Sequence, residues 1–168
     1  RLNSMRASWK LLFLSGLIFM LSSCSTTTID DYAQNSPVFD PTTFFNGPLS
    51  AHGVLKDRSG KVTRYFNATI NAYWNNGVGT LEERFVFNDG EVQFRNWTLT
   101  PNGKGYNATA GDVIGTGKAS VSGNAMQLDY VLEIAYKGSP LQLHVEDWMW
   151  QVDNKVLLNE STLPKWGF

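Results

Sequence analysis

One cysteine, two histidines and a pair of adjacent carboxylates are the residues of this chain best equipped for chemistry. Cys24 is the only thiol, so no disulfide can form within the chain. It follows Leu21, Ser22 and Ser23 at the end of an apolar run, a placement suited to covalent modification rather than to packing or catalysis. His52 and His144 have no second histidine, cysteine or carboxylate at a spacing such as His-x-x-x-His, so both read as solvated strand residues and no metal is expected. Glu146 and Asp147 are the residue types of general acid–base work. On a strand, however, neighbours point to opposite faces and cannot act on one substrate. An inward Asp147 would be a buried charge in need of Arg95 or Arg84, which makes a structural ion pair the expectation. Gly115-Thr116-Gly117 precedes no helix and so is not a nucleotide loop. Trp74, Trp97, Trp148, Trp150 and Trp166 are a heavy aromatic load, suited to packing, and the first four also to lining a cavity for an apolar ligand. No catalytic set emerges, and no cofactor is expected.

The N-terminal residues carry an address. Arg6 and Lys10 precede the apolar stretch Leu11 to Met20, and small residues follow, which is the layout of a secretory signal. A helix that crosses a bilayer needs about 20 apolar residues, and this run is roughly half of that. Leu21-Ser22-Ser23-Cys24 resembles the lipobox of bacterial lipoproteins. The resemblance implies that residues 1–23 are a signal peptide, with Arg1 to Ser4 as upstream read-through before Met5. It also implies that Cys24 becomes an acylated N-terminus, and more than one acyl chain gives a stable anchor. Ser25 stands where such lipoproteins carry an aspartate when they are retained in the inner membrane. The expected location is therefore the outer membrane, on its periplasmic face. Thr26 to Ser36 is polar, lacks periodicity and ends at Pro37, so residues 24–43 read as a lipidated flexible tether.

Residues 44–168 read as one all-β domain. The formal net charge of −1 provides no basic field for nucleic acid. With 15 Gly, 10 Phe, 6 Tyr, 6 Trp and only 17% charged residues, the composition favours strands and turns. Strands are expected near His52–Lys56, Val62–Trp74, Thr80–Asn88, Glu91–Thr100 and Tyr106–Ala110, then Lys118–Ser122, Met126–Lys137, Leu141–Val152 and Val156–Ser161. Asn76-Gly77, Asp89-Gly90, Asn102-Gly103 and Gly123-Asn124 fall between them and supply hairpin chemistry. Phe66, Ala68, Ile70, Ala72 and Trp74 share one face, with Asn67, Thr69 and Asn71 on the other. Met126, Leu128, Tyr130 and Leu132 repeat the alternation, as do Leu141, Leu143, Val145 and Met149. Such a meander can close as a calycin- or lipocalin-like barrel of about 8–10 strands, with an interior either packed or holding one small ligand.

Asp57-Arg58-Ser59-Gly60-Lys61, Asn88-Asp89-Gly90, Arg95-Asn96-Trp97-Thr98-Leu99, Asp112-Val113-Ile114-Gly115, Gly123-Asn124-Ala125, Glu146-Asp147-Trp148-Met149 and Leu158-Asn159-Glu160-Ser161-Thr162 together resemble a family of uncharacterised proteobacterial outer-membrane lipoproteins. The resemblance runs from about Phe44 to the C-terminus. It implies a calycin-like β-barrel and brings no substrate, cofactor or catalytic residue. Members usually carry Asp where this chain has Glu146, and they continue past the Gly167 position with one more strand, so the barrel is expected to lack its last strand here. The functional expectation is a lipoprotein that binds a small apolar or lipid ligand without catalysis. The alternatives are an assembly factor that docks an envelope protein through its outer surface and, third, a lipid-acting enzyme.

Overall fold

The structure is a computed structural model, and it describes residues 26–163. The signal segment, Leu21, Ser22, Ser23 and Cys24 lie outside the described residues, as does Trp166.

Nine strands follow one another: β1 (Gly47–Lys56), β2 (Val62–Asn75), β3 (Val78–Phe87), β4 (Val92–Asn102), β5 (Gly105–Thr109), β6 (Val113–Ser122), β7 (Ala125–Tyr136), β8 (Ser139–Asp153) and β9 (Val156–Thr162). Each pairs antiparallel with the next, so the sheet order is the sequence order. The result is an antiparallel meander curled into a half-barrel. Among the described residues β1 and β9 are its two edges. Every strand expected from the alternation is present. β1 begins earlier than expected, at Gly47, and includes Pro48; an edge strand tolerates a residue without an N–H. β6 also begins earlier, at Val113, and its register shifts between Ile114 and Lys118 around Gly115, whose φ is +65°. That irregularity interrupts the alternation and hides the first half of the strand.

The turns follow backbone chirality. Asn76-Gly77 has φ values of 51° and 79°, and Lys137-Gly138 has 50° and 80°. Two consecutive residues in the left-handed region match the twist of the flanking strands in a two-residue hairpin.

The segment before β1 departs from the tether reading. Ile29–Tyr32 forms a 3-10 turn and Pro41–Phe44 one helical turn. Asp40 caps the latter, accepting hydrogen bonds from the Thr42 amide and the Thr42 and Thr43 hydroxyls. Phe39, Phe44 and Phe45 pack edge to face, with centroids 5.6–5.8 Å apart. The Phe39 amide donates to the Gly123 carbonyl, and the Trp74 indole donates to the Phe45 carbonyl at 2.8 Å. Tyr32 lies against Trp148 and Trp150, with ring centroids at 5.6 and 5.9 Å. Burial of these aromatics outweighs the entropy that a polar linker would otherwise keep. The packed domain therefore starts well before residue 44.

Phe39 and Phe45 join Ala72, Leu81, Trp97, Leu99, Ala108, Ala119, Met126, Leu128, Tyr130 and Val145 in one core. This core fills the end of the curl that carries the β2–β3, β4–β5 and β6–β7 turns. The opposite end is less covered.

Candidate functional site

Strand parity places Glu83, Arg95 and Asp147 on the concave face. Glu83 stands opposite Ile70 on β2 and Arg95 on β4. Asp147 stands opposite Leu128 on β7 and Ser161 on β9. Glu83 occupies a position whose neighbours on β3 are Leu81, Phe85 and Phe87, all apolar and facing inward.

Arg95 does not pair with Asp147. Its guanidinium grips Asp112, in the loop before β6, in a fork: Nε lies 3.0 Å from both carboxylate oxygens and one terminal nitrogen lies 2.7 Å from Oδ2. This bidentate geometry is the strong form of the pair. Asp112 presents both carboxylate oxygens to the guanidinium, whereas Arg95 acts on Asp147 through space alone. The Arg95 guanidinium also lies 5.8 and 5.9 Å from the Trp97 and Phe85 ring centroids. Arg84 has the parity of the outer face.

Asp147 accepts instead from the Tyr130 hydroxyl at 3.2 Å, and its Oδ1 is buried without a hydrogen-bond partner. Burial pushes its pKa up, against the pull of the Ser161 and Tyr130 hydroxyls and of Arg95. Burial likewise pushes Glu83 from 4.5 up to about 7; Arg95 opposes this, and the charges of Asp147 and Asp112 reinforce it. The Tyr130 phenol is pushed up by burial and then by Asp147. Glu83, Asp112 and Asp147 thus surround one guanidinium, and burial disfavours the charged forms of Glu83 and Asp147.

The four tryptophans expected near a cavity do not line one together; only Trp148 and Trp150 meet. Trp97 is 5% exposed and packs edge to face on Tyr130 at 5.1 Å. Trp74 sits at the filled end against Tyr106. Trp148 and Trp150 have outward parity and stack on each other with centroids 6.0 Å apart, beneath Tyr32. The indole N–H of Trp150 is buried and unpartnered.

At the open end the concave wall is apolar and half-buried. Phe66 packs on Phe85 at 5.5 Å and on Phe87 at 6.0 Å, with Leu49 and Ile70 alongside. Arg64 at the rim lies 3.8 Å over the Phe87 ring and pairs with Asp89 and Glu91 at 2.8 Å. The best-formed depressions are shallow. One, of about 430 Å³, runs along β1–β4 and is bordered largely by outward residues such as Asn71, Glu82, Arg84 and Phe94. Another, of about 310 Å³, lies at the β7–β8 hairpin.

Glu83 and Asp112 were missing from the candidate residues read from the sequence. A carboxylate in phase with Leu81, Phe85 and Phe87 was the available signal for Glu83. Asp112 opens one of the motifs that carry the family resemblance, but nothing local points to its partner, 17 residues away.

Fold and site together define an antiparallel half-barrel with one end filled and an ionisable cluster where the filling stops. The chain belongs to the family described as protein of unknown function (DUF3833), whose model matches residues 18–168. No curated protein and no solved structure matches the chain.

Proposed function

We propose that this protein is a lipoprotein of the outer membrane, acylated at Cys24 and facing the periplasm, whose half-barrel binds a lipid or another small apolar ligand without catalysis. The open end of the curl carries this reading. There Phe66 and Phe85 leave a half-buried apolar wall, which Leu49 and Ile70 join to the core, beside the Glu83, Arg95 and Asp147 cluster. An acyl chain is suited to such a wall, and its polar head to the ionisable groups beside it. The Leu21-Ser22-Ser23-Cys24 sequence supports the anchor. Among the described residues no helix is long and apolar enough to cross a membrane.

Native mass spectrometry of the full chain extracted from its host tests the binding. A co-purifying amphiphile that is lost from the Phe66→Asp variant is expected. An unliganded wild-type chain, or an amphiphile retained equally by the variant, would count against this seat. For the anchor, Cys24→Ser should abolish metabolic labelling with palmitate, and persistent labelling would refute it.

A second reading is docking of an envelope protein on the outer surface. It is favoured by Phe94, which is 72% exposed beside the groove along β1–β4. Capture of a defined envelope partner that depends on Phe94, with no bound amphiphile, would select it.

A further inference from the structure

The outer face of the β7–β8 pair holds a cluster that plays no part in the proposed ligand seat. Asp129 and Glu146 are direct partners in the antiparallel register. His144 lies two residues before Glu146 on β8, hence on the same face and diagonal to Asp129. Its Nε2 is 2.9 Å from both carboxylate oxygens of Asp129. One ligand atom from each of the three residues lies within 4.8 Å of the other two, and all three side chains are half-buried.

Like charges directly opposite each other on paired strands are destabilising. A lysine is at hand: Lys118 on β6 stands opposite Asp129. Its ammonium is directed elsewhere, however, to the Asn107 side-chain oxygen at 2.9 Å. The imidazole is therefore the group set against the two carboxylates, and its nitrogen meets the Asp129 carboxylate symmetrically rather than through one oxygen. Thr162 on β9 stands opposite Glu146 and adds no charge.

We propose that Asp129, His144 and Glu146 form a binding site for a divalent transition-metal ion, with Nε2 of His144 and one oxygen from each carboxylate as ligands. One imidazole nitrogen with two carboxylate oxygens is a borderline donor set, which suits zinc and its neighbours better than calcium or magnesium. Three protein ligands on an exposed sheet face leave the fourth position to water. The ion neutralises the opposed carboxylates and staples β7 to β8, so its binding raises the stability of the fold by mass action.

The composition makes the test clean, because His52 and Cys24 are the only other imidazole and thiol in the chain. The full chain, without a tag and stripped with a chelator, is titrated with zinc alone against a chromophoric competitor. Binding of one zinc per chain is expected, together with a rise in the thermal midpoint. His144→Gln and Glu146→Gln should each weaken binding by about tenfold or more and remove the rise, while His52→Ala and Cys24→Ser retain both. Tryptophan emission checks that each variant is folded, and Glu146→Gln leaves the His144 to Asp129 contact intact should His144→Gln fail to fold. Absence of saturable binding by the wild-type chain overturns the site. So does equal affinity in the folded Glu146→Gln variant.

Discussion

Replacement of Glu83 by Gln should stabilise this protein, by an amount that grows as pH rises from 4.5 to about 7 and is constant above that. The Glu83 carboxyl has an ordinary value of 4.5 and is pushed to about 7 in the fold, first by burial. Because the folded pKa is raised, the folded state holds a proton that the unfolded state has released between pH 4.5 and about 7. Stability therefore falls as pH rises through that window, and levels off above it. At 1.36 kcal/mol for each tenfold change in proton affinity, the full cost of ionising Glu83 in place is about 3 kcal/mol. Gln keeps the shape and removes the charge. Urea unfolding followed by tryptophan emission, at pH 5 and pH 8, gives the comparison. At pH 5 the two proteins should differ by less than about 1 kcal/mol. At pH 8 the variant should be the more stable, by about 2–3 kcal/mol. Asp147 is also raised and adds a dependence of the same sign to both proteins; its charge acts on Glu83, so the difference between them reports Glu83 together with that coupling. A variant less stable than wild type at pH 8, or an offset that does not change with pH, would refute the claim that burial outweighs Arg95 and Trp97 in setting the charge of Glu83.

Asp112→Asn strips the fork from Arg95 and should lower stability by about 2 kcal/mol in the same urea assay at pH 7; Arg95→Lys should lose a comparable amount, because an ammonium cannot reproduce the two parallel bonds. Gly123 has φ +54°, and a Cβ there would overlap the Tyr32 carbonyl. Gly123→Ala should therefore lift Tyr32 away from Trp148 and Trp150, shift tryptophan emission to longer wavelength, and cost about 2 kcal/mol. Lys137 sits at φ +50° in the β7–β8 turn, and Lys137→Gly should raise the urea midpoint, by about 1 kcal/mol in stability.

The nine strands were legible because a curled sheet with one inner face imposes a strict period of two, and most residues obey it. The ordering of residues 29–46 was far less so. Tyr32, Phe39, Phe44 and Phe45 show no period, since they are buried by docking onto distant partners: Trp148 and Trp150 for Tyr32, and the Gly123 carbonyl and Trp74 for the rest. Only Asp40-Pro41-Thr42 was a local sign, as an N-cap followed by proline at the first helical position.

The chemistry was hidden for a different reason. Glu146 and Asp147 are neighbours in sequence, yet the strand sends them to separate environments: one joins His144 and Asp129 outside, the other joins Tyr130 inside. Parity correctly separates the two, and it also pairs His144 with Glu146 as i and i+2 on one face. It cannot supply Asp129 or Tyr130, because those come from β7 through a register that only the turn at Lys137-Gly138 fixes. A slip of one residue at that turn would exchange the faces. Asp129 would then turn inward and Tyr130 outward, leaving Asp147 without its donor and Glu146 without its opposed carboxylate. The hairpin geometry that costs Lys137 a left-handed backbone is thus what assembles both clusters at once.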